Sequence, residues 1–224
     1  MHVLIVSATP FEVAPTAKWL DETGGLPGEV TVEFLVTGIG QLATAFALGR
    51  RLADSGRPVD LLLQAGVGGS FDYRLPLGSV VYVNSDRAAD LGAEDASGEF
   101  LSLADIGLTY PDPFALNAGT IRVPTLGHKA LQRLPWVDGL TVNRASGTEA
   151  TIRALRLRFP NVTVETMEGA AAAFAAVSCG LDFVHLRGIS NHVTVRDREG
   201  WQLAAAVAAV NETVIELLVE LAGV

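Results

Sequence analysis

Cysteine is almost missing from this chain. Among 224 residues only Cys179 carries a thiol, so no internal disulfide can form, and its apolar surroundings in AVSCGLDFVHL predict a buried small residue in a reducing compartment. Basic charge is scarce too. Sixteen Lys and Arg against 25 Asp and Glu leave a formal net charge of -9, which argues against nucleic-acid binding, since that draws on clustered cations. No apolar run approaches the ~18 residues that span a bilayer, so no membrane association is expected. The opening MHVLIVSA has neither the basic start nor the long apolar core of a secretion signal. The four histidines, His2, His128, His185 and His192, are scattered, so no metal site is expected, and no cofactor. These absences leave a soluble, cytoplasmic protein whose partner is a small molecule.

What is present is apolar and small. Hydrophobic residues make up 49% of the chain and Gly accounts for 23 positions, enough to build one core with helices packed close to a sheet. Apolar, β-branched runs predict strands at 2–6, 30–37, 60–66, 78–85, 162–166 and 182–190. Helices fit at 11–22, 40–55, 148–158, 168–179 and 200–222. This order predicts an α/β fold, a single domain over 1–224 with a central, mostly parallel but mixed sheet flanked by helices. Residues 86–120 carry Gly, Pro and Asp without a sustained period and read as long loops with short strands.

One stretch misleads. TGIGQLATA (37–45) spells G-x-G-x-x-A between a strand and a helix, and Asp60 lies about twenty residues on, as in a dinucleotide fingerprint. That fingerprint belongs to the first strand-to-helix turn, and here the first strand runs into SATPFEV, which has no glycine. Asp60 also begins a strand instead of ending one, so a nicotinamide site is not expected.

Three passages carry polar groups where strand ends open onto a crevice. They are SATPFEV with Glu12; the glycine turns Gly38-Ile39-Gly40 and AGVGGS (65–70); and ETMEG with RGISNH. Each also has a plain structural reading. Glu12 and Glu168 suit helix amino termini, the glycines suit tight packing, and Ser190 with Asn191 suits a turn cap. An acid leading the alanine-rich helix GAAAAFAAVSC into the core, however, needs a partner.

Taken together, SATPFEV, TGIG, QAGVGGS, ETMEGAA and LRGISN resemble the purine nucleoside phosphorylase and nucleosidase superfamily in order and spacing over nearly the whole chain. The glutamate of FEV matches its nucleosidase branch. ADLGAED, RGISNH and the overall length resemble members acting on a 6-oxopurine nucleoside extended beyond its 5′ carbon. The resemblance implies that Glu12 activates the attacking water, and that Met167 and Glu168 form the ribose site. It also implies that Gly66, Val67, Gly68 and Ser190 line the base and substrate pocket, and that the assembly is a homodimer. Asn191 departs from the adenine-specific pattern, which has an aspartate there. A neutral amide offers both donor and acceptor, so Asn191 reads as a selector for hypoxanthine. An amide is a poor acid, so N7 would be protonated through water, or the base would leave as a hydrogen-bonded anion. Arg144, Arg74 and Arg122 are candidates for an anionic group beyond the 5′ carbon. Phosphorolysis, adenine-nucleoside hydrolysis and an inactive nucleoside sensor remain alternatives. SATPFE stands where hexameric phosphorylases carry a Gly-Asp-Pro phosphate loop, which favours water as the nucleophile.

Overall fold

Side chains alternate along the first strand, β1 (His2–Ser7), so Val3 and Ile5 face one way and Leu4 and Val6 the other. All four have zero exposure, which requires cover on both faces of the sheet. A computed structural model, describing residues 1–54, 56–108, 119–123 and 126–223, supplies it. The elements that follow β1 are α1 (Pro10–Thr23), β2 (Thr31–Val36), α2 (Gln41–Ala53), β3 (Leu61–Ser70) and β4 (Val80–Arg87). The chain continues through β5 (Gly92–Glu94), β6 (Phe100–Ser102), β7 (Thr120–Arg122), α3 (Lys129–Gln132), β8 (Trp136–Thr141) and α4 (Glu149–Arg158). It ends with β9 (Val162–Thr166), α5 (Gly169–Ser178), β10 (Asp182–His192) and α6 (Leu203–Leu221).

On one face α6 packs Val210, Val214, Leu217 and Leu218 against Val3, Ile5, Leu61 and Leu63, with Val13 of α1 beside them. On the other, the alanines of α5 and Leu48 of α2 cover Leu4, Val6, Leu62 and Phe183. Truncating one such leucine to alanine removes about 2–5 kcal/mol. The sheet is mixed. Among the described residues, five of its eight strand pairings are parallel (β1–β2, β1–β3, β3–β10, β4–β8, β8–β9), and β4–β10, β3–β9 and β4–β7 are antiparallel.

Several expectations change. AGVGGS is not a turn: all of it lies inside β3, because β10 pairs with that strand as far as Ser70. Cys179 is exposed, since it follows the last turn of α5. β8 was not anticipated, because Asp138 and Gly139 interrupt its apolar pattern. Asp138 takes the hydroxyl of Ser85, and a Cβ on Gly139 would lie 2.7 Å from Val83 and 2.8 Å from Asp86. The 86–120 region holds the short β5–β6 hairpin and the start of β7, and residues 109–118 lie outside the described residues. Asp60 accepts the backbone N–H of His2 at 2.6 Å, at the opening end of β1 and away from the strand ends that could hold a dinucleotide.

Candidate active site

β3 changes partners along one edge. Leu61 to Gln64 pair with β1, Gly69 and Ser70 pair with β9, and residues 65–68 between them have, among the described residues, a ladder partner only on the β10 side. Backbone groups left free in such a gap must bond to side chains or ligand. Strand ends around a switch of this kind form the crevice of open α/β sheets.

Glu12 fills the gap. It lies in the first turn of α1, 6% exposed, with its carboxylate turned back to Thr9. Oε2 accepts the backbone N–H and the hydroxyl of Thr9 at 2.9 and 3.1 Å. Oε1 accepts the free N–H of Val67 at 3.1 Å. The helix is itself pinned one turn on, beside Pro15, which has no N–H to give. The Asn211 amide of α6 accepts from the backbone N–H (3.0 Å) and hydroxyl (2.6 Å) of Thr16 and donates to the Glu12 carbonyl at 2.8 Å. It thus stands between the two backbone groups that an α-helix would pair with each other.

Glu168 arrives from the other side at the mouth of α5, 5% exposed. Gly40 donates its N–H to Oε1 at 3.0 Å. Gly40 has φ 92°, a conformation glycine adopts without strain, so the TGIG turn serves this carboxylate. Oε2 lies 3.7 Å from Nη2 of Arg187. Arg187, opposite Gly66 in the β3–β10 register, is 1% exposed and donates from Nη1 to the Val67 carbonyl at 3.3 Å. A Cβ on Gly66 would fall 2.5 Å from Arg187 Nη1 and 2.6 Å from Glu12 Oε1. Glu12 and Arg187 therefore meet over the bare Cα of Gly66, and Arg187 in turn faces Glu168.

A second group lies further along the same strand pair. The Ser190 hydroxyl is within reach of the Gly68 carbonyl (3.2 Å) and Asn191 Oδ1 (2.8 Å). Asn191 donates from Nδ2 to the His192 carbonyl at 3.0 Å, leaving one amide N–H and one lone pair uncommitted among the described residues. Met167 is half-buried at the β9–α5 junction between Thr166 and Glu168. Close by, Glu165 binds the backbone N–H of Ser146 at 2.9 Å and its hydroxyl, anchoring the loop after β8. Burial raises the Glu165 carboxyl above its ordinary value, against the Ser146 bonds.

Arg74, Arg122 and Arg144 are exposed, and Arg74 is committed to Asp72 at 2.7 Å. A cavity of about 540 Å³ instead adjoins the α5 mouth, lined by Gln41, Leu42, Arg87, Phe100, Ala170 and Phe174 among others. Arg87 is its one cationic lining residue among the described residues. Arg187 is not among the residues expected from the sequence, although a charge inside the apolar run DFVHLRGIS is an available signal. Asn211, which looks like any polar residue on a helix, and Arg87 carry no local signal of their place here.

Two buried carboxylates at helix mouths, brought together at a break in a mixed sheet, define a small-molecule site of hydrolase or transferase type. The chain belongs to the phosphorylase superfamily, whose family model matches residues 2–222. It is 35% identical to the futalosine hydrolase of Streptomyces coelicolor, over 97% of this chain and 95% of that one. It is 33% identical to the futalosine hydrolase of Thermus thermophilus, over 89% and 86%. In fold it is similar to the 5′-methylthioadenosine/S-adenosylhomocysteine nucleosidase of Helicobacter pylori, with a TM-score of 0.79 and 16% identity over 98% of each chain.

Proposed function

We propose that the protein is a nucleosidase that hydrolyses the N-glycosidic bond of futalosine, releasing hypoxanthine and dehypoxanthine futalosine in menaquinone biosynthesis. It works in the cytoplasm as a homodimer, with residues 1–224 acting as one domain and without metal or cofactor. Arg187, set between Glu12 at Gly66 and Glu168 at 3.7 Å, links the two carboxylates and carries the hydrolytic reading, and the similarity to futalosine hydrolases carries the substrate.

Glu12 takes a proton from water as the water oxygen bonds to C1′ and the C1′–N9 pair departs with the base. Glu168 accepts the 2′- and 3′-hydroxyls and offsets the positive charge that develops on the sugar, as carboxylates do in glycoside hydrolysis. Met167 gives the sugar a soft apolar floor. Gly66, Val67, Gly68 and Ser190 shape the pocket. The uncommitted N–H of Asn191 donates to the 6-oxopurine, and N7 is protonated from water or the base leaves as a hydrogen-bonded anion. The carboxyphenyl tail of futalosine occupies the cavity beside α5, with its carboxylate on Arg87. Ile39 just before α2, Leu42 and Phe46 on it, and Leu91 and Leu108 at that cavity are large exposed apolar side chains, a patch that suits a second copy of the chain.

The test is chromatography of the products from a mixture of futalosine, inosine, methylthioadenosine and S-adenosylhomocysteine. Hypoxanthine released chiefly from futalosine is the expected outcome. Adenine released instead would assign the protein to the adenine nucleosidases, and retention of nucleosides without cleavage would assign it to sensors.

A further inference from the structure

Arg187 does not stand alone. Its Nε donates to Nε2 of His185 at 2.8 Å, and because a guanidinium is always a donor, Nε2 must be the bare nitrogen of a neutral imidazole. The ring proton therefore sits on Nδ1. Burial and the neighbouring Arg187 push the His185 pKa well below its ordinary value, consistent with a neutral ring. Nδ1 points at Oδ2 of Asp86, 3.8 Å away, with both residues at zero exposure. Neither atom has a hydrogen-bond partner among the described residues. At that distance the pair is an electrostatic contact and not a closed hydrogen bond.

Asp86 is itself fixed. Its Oδ1 accepts the Thr141 hydroxyl at 2.8 Å and the Arg87 N–H at 2.7 Å, and Thr141 takes the Ala170 N–H at 2.8 Å. A Cβ on Gly169 would lie 2.1 Å from Asp86 Oδ2 and 2.5 Å from His185 Cε1. The first residue of α5 is thus bare where these two side chains pass beneath it, next to Glu168. Burial raises the Asp86 carboxyl to about 7. The groups facing the pair are Arg187, Arg87, Thr141 and Thr166.

Resting on the nucleosidase reading, we propose that Asp86 and His185 are positioning residues: a buried carboxylate–imidazole relay holds the Arg187 guanidinium between Glu12 and Glu168. The carboxyl group selects the Nδ1–H tautomer, and that tautomer presents the lone pair that aims Nε. The two η nitrogens then reach Val67 and Glu168. Nothing in the relay touches the nucleoside.

Nitrogen-15 NMR of the full-length protein labelled at histidine, from about pH 5.5 to about pH 8, tests the relay without any substrate. One imidazole, identified by its loss in His185→Gln, is expected to stay neutral with its proton on Nδ1. An imidazolium, or a proton on Nε2, would overturn the proposal. In kinetics, His185→Leu, with its fold checked by thermal melting, is expected to lose on the order of 10²-fold in kcat through misplacement of Arg187. His185→Gln, which restores an acceptor for Nε, is expected to recover most of that loss. Parental kcat in His185→Leu, or a Gln variant as impaired as the Leu one, would also overturn it. If the parent releases no base from futalosine, the substrate reading fails and the NMR result still decides the relay.

Discussion

Glu12 and Glu168 stand at the mouths of two helices on opposite faces of the same sheet, nearly equally buried, yet they are held differently. A carboxylate has about four lone-pair sites. Three donors from Thr9 and Val67 fill those of Glu12 but for one. Glu168 takes one backbone N–H from Gly40, and the Arg187 contact at 3.7 Å is too long for a hydrogen bond. Glu12 is thus aimed, with one position for one small oxygen nucleophile. Glu168 is open, with room for two hydroxyls. In the proposed mechanism these environments suit Glu12 to act as the base for water and Glu168 as the clamp for ribose.

The largest effect should come from the aimed group. Glu12→Gln keeps the shape but cannot take a proton, and kcat for futalosine is expected to fall ~10²- to 10⁴-fold, with KM changed only a few-fold. Glu168→Gln should lose on the order of 10²-fold in kcat and also raise KM, because the clamp acts on bound ribose as well as on the developing cation. Measuring both constants for both variants separates the roles. A Glu168 variant that keeps its KM while losing more kcat than Glu12→Gln would reverse the assignment.

Base choice gives a smaller effect. An ionised carboxylate at 191 would face both O6 of hypoxanthine and the His192 carbonyl that Asn191 now satisfies, at about 1–3 kcal/mol. The ratio of kcat/KM for futalosine over aminofutalosine is therefore expected to fall on the order of tenfold or more in Asn191→Asp. An unchanged ratio would return Asn191 to a purely local role as a strand-end cap. Smallest is Arg87→Met, expected to raise KM for futalosine on the order of tenfold through loss of one charged hydrogen bond while leaving inosine cleavage unaltered. Equal effects on both substrates would remove the tail from the cavity beside α5.

The parts legible in the sequence were those with a local signature. β1, α1, α5 and β10 follow from apolar period and helix-opening residues, and the two candidate glutamates stand out as acids at helix openings, Glu168 before an otherwise apolar helix. What the sequence hid depends on pairing between distant segments. β3 gains its last residues because β10 accompanies it to Ser70, so AGVGGS looked like a turn. The free Val67 N–H exists because β1 leaves that edge before β9 joins it, which no local pattern encodes. Asn211 reaches Glu12 across 199 positions of chain, and His185 becomes meaningful only beside Asp86 and Arg187.

In the proposed mechanism Glu12 directs water, not phosphate, at C1′. The most direct measurement is the initial rate of hypoxanthine release from futalosine by the purified protein, in phosphate-free buffer and with millimolar phosphate, with the sugar product identified by mass. The account predicts equal rates in both buffers and dehypoxanthine futalosine as the sole sugar product. Release that requires phosphate and yields a sugar 1-phosphate would contradict it.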